Sequence, residues 1–163
     1  MISIKPNFKS QLRNWSDFIQ QIIILLPFYL YSYYQNGDSV LIVYYVFILI
    51  QLLPTIYLTI MYFVENRGEE FIISENKIVK IDNGISKSYD NFEIKKVVIC
   101  KSATKDKGGI PFSTFETFRL ARVYLKDGSN FIMTNSLEYD IEKPISILKG
   151  IVIERRKGFS FFI

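Results

Sequence analysis

The spacing of apolar positions divides the chain into three regimes. From Ser39 to Val64 the sequence SVLIVYYVFILIQLLPTIYLTIMYFV runs without a charged side chain. An apolar run beyond about 18 residues predicts a membrane-spanning helix. At about 1.5 Å per residue this run reaches about 39 Å, more than a hydrocarbon layer of about 30 Å requires. A shorter run at 18–34 (FIQQIIILLPFYLYSYY) predicts a first span. The link 35–38 (QNGD) is a turn signal and is too short for anything but an antiparallel hairpin. Residues 1–64 therefore read as an N-terminal arm followed by two transmembrane helices, at about 18–34 and 39–64.

After Val64 the period drops to two. Short alternating segments predict strands at about 69–74, 77–82, 85–90, 93–101, 115–125 and 130–134. Asn83–Gly84 and Lys126–Ser129 (KDGS) are hairpin turns between them. From Pro144 the apolar positions Ile145, Leu148, Ile151 and Val152 follow a spacing of three and four. That spacing predicts a C-terminal helix over 144–157, with Pro144 in its first turn and Gly158 past its end. Residues 65–163 thus read as one mainly-β domain, a small sandwich or barrel capped by a helix.

Charge sharpens the division. Residues 18–64 carry one charged side chain, Asp38, whereas 65–163 carry an ordinary soluble mixture of acids and bases. Lys5, Lys9 and Arg13 precede the first span, and the hairpin link has no base. Because basic flanks are retained inside, the N-terminus and the C-terminal domain are expected in the cytoplasm, with the protein in the cell's inner membrane. The run after Asp17 is too long and too aromatic for a cleaved signal core. The net charge of +4 is spread among acids and is no nucleic-acid signature. With no histidine and one cysteine, Cys100, the chain has no His-based acid–base chemistry and no intrachain disulfide. Strand alternation puts Cys100 beside Val98 as a small buried hydrophobe.

The order of these features resembles the bacterial PH-like domains. It is carried by Phe71–Asp82, Gly84–Ile85, Tyr89–Val97 and Val123–Asn135, followed by Pro144–Arg156, and covers residues 69–157. The resemblance implies a curled antiparallel sheet plugged by the C-terminal helix. A two-span anchor before such a domain is frequent among small bacterial membrane proteins of that class. The chain offers six strands where the fullest pattern has seven. The segment 110–115 or Phe159–Ile163 is the expected place of the missing one. No catalytic motif comes with the resemblance.

Two stretches are candidates for binding. Lys101, Lys105 and Lys107 flank Gly108–Gly109 in a long link and can cradle an anionic headgroup; the alternative is a solvated loop. Arg155, Arg156 and Lys157 precede Phe159, Phe161 and Phe162, a basic-aromatic composition suited to a lipid interface. The alternative is that the phenylalanines pack on the sheet or cover its edge. Glu138, Asp140 and Glu142 read as helix-start acids rather than a carboxylate site. Pro27 and Pro54 lie at similar depth and can open a small polar pocket beside Gln51 and Thr55; prolines tolerated by their neighbours are the alternative.

No catalytic residue, metal site or cofactor follows from the sequence. The expected function is non-enzymatic: a cytoplasmic PH-like module tethered to the bilayer and presented to a protein partner. The alternatives are a sensor of anionic inner-leaflet lipid and an oligomeric small-solute transporter or sensor. The aromatic-rich spans also suit homo-oligomerisation. The absence of charge inside either span speaks against transport.

Overall fold

The structure, a computed structural model, describes residues 1–36, 39–101 and 114–157. Its elements are β1 (Ile2–Ile4), α1 (Phe8–Asn36), α2 (Ser39–Glu65), β2 (Glu69–Ile73), β3 (Lys77–Asp82), β4 (Ile85–Asp90) and β5 (Ile94–Lys101). A 3-10 turn (Thr114–Thr117), β6 (Leu120–Leu125), β7 (Asn130–Thr134), α3 (Glu142–Ile145) and β8 (Ile153–Lys157) complete it. One sheet has the order β1-β2-β3-β4 and the other β7-β6-β5-β8. All pairings are antiparallel except β5 with β8, which is parallel.

The two sheets enclose one core. Phe71, Ile73, Ile78 and Tyr89 from the first sheet meet Val97, Ile99, Val123 and Phe131 from the second. Phe131 stacks on Phe71 with ring centroids 5.7 Å apart and lies 5.0 Å from Tyr89. The strand alternation that brings these residues inward is the one visible in the sequence. At the β3–β4 turn, Asn83 and Gly84 both take positive φ (48° and 87°), as a tight two-residue hairpin requires.

Four sequence expectations are corrected. The helix predicted over 144–157 is a four-residue α3 followed by β8. Ile145 and Leu148 are buried, as a helical face requires, but one turn suffices to bury them. The helical turns run out by Ile147, and Gly150 then takes φ +72°, a left-handed backbone that turns the chain toward β8. The β-branched Ile151–Ile153 run on to pair with the open side of β5. The additional strands beyond six are therefore β1 and β8; neither lies in the segments 110–115 or 159–163, which fall wholly or largely outside the described residues. The strand expected over 115–125 begins only at Leu120, because Thr117 and Phe118 turn aside to pack against the helices. The first helix is not confined to 18–34: it starts at Phe8, with its first turns lying on the sandwich.

That docking joins helices and sheets into one body. The outer face of the β5–β6–β7 sheet carries a second apolar cluster, in which Val98, Cys100, Leu120 and Ile132 pack on Leu58 and Tyr62 of α2. Phe118 meets Tyr62 edge to face at 5.3 Å. Just past α2, Asn66 is fully buried. Its Nδ2 donates to Glu69 Oε2 and to the Ile132 carbonyl, both at 2.8 Å. Its Oδ1 accepts from the Thr134 N–H at 2.8 Å and the Thr134 hydroxyl at 2.7 Å. The Ser136 hydroxyl donates to the Tyr62 carbonyl at 3.1 Å, adding a side-chain bond from the sandwich to a carbonyl in the last turn of α2 that also accepts the Asn66 N–H at 3.4 Å. On α1, buried Asn14 accepts from Asn135 Nδ2 at 2.7 Å, and Arg13 stacks over the Tyr139 ring at 4.1 Å.

Among the described residues, one helix is long and apolar enough to cross a membrane: α2, over Ile42–Glu65. α1 pairs with it, and Tyr29 stacks on Tyr44 with ring centroids 4.3 Å apart. Near the prolines, the cavity between Gln21 and Gln51 is about 10 Å³, and Thr55 donates its hydroxyl to the Gln51 carbonyl of its own helix at 2.8 Å; a wider groove of about 260 Å³ lies further along the pair, lined by Leu25, Phe28, Tyr29 and Tyr44.

Candidate functional site: a basic strand end at the base of the helices

The parallel register of β5 and β8 sets Ile99 beside Arg155, Cys100 beside Arg156 and Lys101 beside Lys157. Two basic stretches more than fifty residues apart in sequence thus meet at one strand end. Directly opposed residues share a face. Arg156 therefore lies on the outer face with Cys100 and Leu120. Arg155, Lys101 and Lys157 lie toward the inner rim, beside α3.

Glu142, at the start of α3, organises that rim. It accepts from Arg155 Nε at 2.5 Å and from Lys101 Nζ at 3.2 Å. Burial pushes its carboxyl up, but the hydrogen bonds and charges of Arg155 and Lys101 outweigh this and hold it below the usual range. On the outer face, Lys96 donates to Glu154 at 2.9 Å, and Arg156 lies 4.0 Å from the same carboxylate. The cations Lys101, Arg155, Arg156 and Lys157 outnumber the two acids Glu142 and Glu154. The two arginine side chains remain about half exposed, at 50% and 57%. A half-exposed guanidinium fork suits phosphate or carboxylate oxygens.

The position of this strand end follows from the chain path. β5 leaves the sheet at Lys101, and the chain is next described at the 3-10 turn Thr114–Thr117, which packs against both α1 and α2. Thr117 donates to the Asn14 carbonyl at 3.4 Å, fixing that turn to α1. Cys100, paired with Arg156 on β8, itself packs on Leu58 and Tyr62 of α2, so the basic strand end borders the face on which the helices dock.

Of the residues singled out in the sequence, Lys101, Arg155, Arg156 and Lys157 are brought together. Lys105, Lys107, Phe159, Phe161 and Phe162 lie outside the described residues. Cys100 is buried against α2, and burial pushes its thiol up further than Arg156 and Arg122 pull it down. That is the wrong direction for a reactive thiol. Among the described residues no group of three or more acidic or thiol side chains converges as a metal cage would require. Sequence reasoning missed Glu142 as the hub, because its partners come from two distant strands. It also missed Asn66, which carries no local signal. No family model, curated protein or solved structure matches the chain.

Proposed function

We propose that the chain is a small integral membrane protein whose helical hairpin holds a PH-like β-sandwich at the cytoplasmic face of the inner membrane as a non-enzymatic interaction and tethering module. The observation that carries this reading is the distribution of exposed apolar side chains. Large ones cover both helices, from Ile19 to Leu30 on α1 and from Ile42 to Ile60 on α2. Among the described residues of the sandwich only Ile85, Phe92 and Val152 are comparably exposed. A continuous apolar surface of that extent is foreign to a soluble monomer. Leu58 and Tyr62 are taken up by the sandwich, and the part of α2 before them is Ser39–Tyr57. That stretch is about 28 Å long, close to the hydrocarbon thickness. The PH-like part of the reading is supported by β1–β4 and β5–β7 forming two antiparallel runs in separate sheets. The parallel β8 and the short α3 depart from it.

Cys100 is buried, so introduced cysteines can report topology. With a membrane-impermeant maleimide on intact cells, Gln35→Cys is expected to label and Ser129→Cys to label only after permeabilisation. Labelling of Ser129→Cys in intact cells, or recovery of the full chain in buffer without detergent, overturns the reading.

A second reading, sensing of anionic lipid, draws support from the gathering of Lys101, Arg155, Arg156 and Lys157 on the helix side of the sandwich. Basic residues at an anionic surface contribute about 1 kcal/mol each. The full chain in nanodiscs containing phosphatidylglycerol is then expected to melt higher than in phosphatidylcholine alone. Added salt or Arg156→Glu is expected to shrink the difference. Equal melting in both lipids removes this reading.

A further inference from the structure

We infer that the first turns of α1, from Phe8 to Trp15, lie in the lipid headgroup layer, which seats the corner of the sandwich they dock on against the membrane surface. The inference rests on the membrane reading and names a lipid contact separate from the Lys101–Lys157 strand end. Asn7 fixes where the helix begins. Its N–H donates to the Ser136 carbonyl of the sandwich at 3.2 Å, and its Oδ1 accepts the Lys9 N–H at 2.9 Å, as an N-cap does. The helix then runs for 29 residues, to Asn36. At about 1.5 Å per residue that is about 43 Å, the thickness of a bilayer with its headgroups rather than of its hydrocarbon alone.

The two faces of these first turns are the reverse of what docking on a soluble domain requires. Ser10 and Asn14, one turn apart, are buried at 6% and 2% exposure, and Asn14 accepts from Asn135 of the sandwich. Phe8 and Leu12 face outward at 74% and 51%. A helix lying on a water-soluble protein buries its apolar stripe and turns its polar face to water. Here the polar face has its partner in the sandwich, and the apolar face is open among the described residues. The outward stripe is also continuous with the span. Phe8, Leu12, Trp15, Ile19 and Ile23 recur at spacings of four, three, four and four, which keeps them on one side of the helix. Ile19 and Ile23 belong to the exposed apolar surface read above as lipid-facing, and Phe8 and Leu12 carry it on toward the sandwich.

The side chains beside the stripe choose its occupant. Trp15 has the amphipathic ring that membrane interfaces collect. Lys5 and Lys9 are exposed, without an ion pair among the described residues, and no acid precedes Asp17. A lysine beside apolar surface lays its stem along it while the ammonium reaches phosphate or water. An apolar stripe with a tryptophan and flanking bases is the composition of a helix at a lipid interface. The sandwich corner itself is of mixed charge: it carries Glu138 and Asp140, the latter 3.7 Å from Arg119. The stripe rather than net charge therefore carries the contact. A second copy is the poorer occupant. Copies in one membrane share a direction, so pairing through this stripe would be parallel and would bring two sets of Lys5 and Lys9 together, with no acid before Asp17 to offset them.

Trp15 is the only tryptophan in the chain, so its emission reports this stretch without substitution. The test is quenching of the full chain in vesicles of phosphatidylcholine and phosphatidylglycerol. The lipid carries a spin label on the headgroup, high on the acyl chain or near the acyl end, and iodide is the aqueous quencher. Phe8→Trp and Ile23→Trp, each in a Trp15→Phe background, extend the series. Phe8 and Ile23 are exposed, and Trp15→Phe keeps a ring beside Phe18. Phe8→Trp is expected to be quenched most by the headgroup label, Trp15 by the shallow acyl label and Ile23→Trp by the deep one. The depths read from these ratios are expected to place Phe8→Trp about 22 Å shallower than Ile23→Trp, with native Trp15 about midway. Native Trp15 decides the matter should a variant melt differently from the native chain. Quenching of Phe8→Trp or native Trp15 by iodide and by no lipid label, with Ile23→Trp still quenched by the deep one, overturns the proposal and leaves the membrane reading intact. Protection of Phe8→Trp from iodide and every lipid label also overturns it, since a protein surface then covers the stripe. Failure of the deep label to quench Ile23→Trp overturns the membrane reading itself, and this proposal with it.

Discussion

At the scale of single residues, Asn66 links the helices to the sandwich. A side-chain amide offers two donors and two acceptor positions, and Asn66 uses all four while fully buried. Its partners at Ile132 and Thr134 lie 66 and 68 residues further on, so nothing local in the sequence marks it. Reading the chain alone, it is one more polar residue after an apolar run. Asn66→Ala removes the four bonds and leaves the Thr134 N–H and the Ile132 carbonyl buried without their side-chain partner. With a net bond contributing about 1 kcal/mol and a stranded group costing about 1–3, the expected loss is about 3 kcal/mol. Asn66→Asp is nearly isosteric, yet it forfeits both donors and sets a second carboxylate against Glu69. It is expected to fall at least as far at neutral pH. Equilibrium unfolding in detergent measures both, with exposed Ser86→Ala as a control expected within about 0.5 kcal/mol of the native chain. An unchanged midpoint for Asn66→Ala would refute the assigned role.

At the scale of elements, what the sequence made legible is what local chemistry decides. α2, the Asn83–Gly84 turn, β3, β4 and the Asp127–Ser129 turn all follow from runs and turn residues of a few positions. What escaped is what a distant partner decides. Ile2–Ile4 is too short to be a strand by pattern, and becomes one because β2 offers an open side. The basic tail becomes β8 because β5 does the same. The candidate site was legible as two basic stretches but not as one place, since only the parallel register brings Lys101 to Lys157. Gly150 separates the two readings of the C-terminal region by the sign of one substitution. In a helix over 144–157, Gly150→Ala would stabilise by about 1 kcal/mol. In the structure Gly150 has φ +72°, and an added Cβ meets nothing within 4 Å, so the cost is conformational alone. The substitution is then expected to destabilise by about 1–2 kcal/mol. The direction of the melting shift is sufficient to distinguish the two.

At the scale of the whole molecule, the boundary between helices and sandwich is the point on which sequence and structure part most sharply. Charge density places it near Glu65, and a fragment 65–163 would seem a natural soluble domain. The packing says otherwise. Cutting at Glu65 removes β1 from the edge of the first sheet and removes Leu58 and Tyr62, both almost completely buried, from the face of the second. It also takes away Asn14, the partner of Asn135. Val98, Phe118, Leu120 and Ile132 would then face water together, and burying each such side chain contributes about 1.5–3 kcal/mol. A sandwich of this size is stable by only about 5–15 kcal/mol, so these losses consume most or all of it. Fragment 65–163 is therefore expected to aggregate or to unfold without a cooperative transition. In the full chain in detergent, the milder Leu58→Ala is expected to cost about 2–5 kcal/mol while leaving a cooperative melt. Recovery of 65–163 as a monomer melting as high as the full chain would refute the shared core. If the expectation holds, the sandwich cannot swing on a linker: its basic end, its β4 edge and the helical hairpin keep fixed directions.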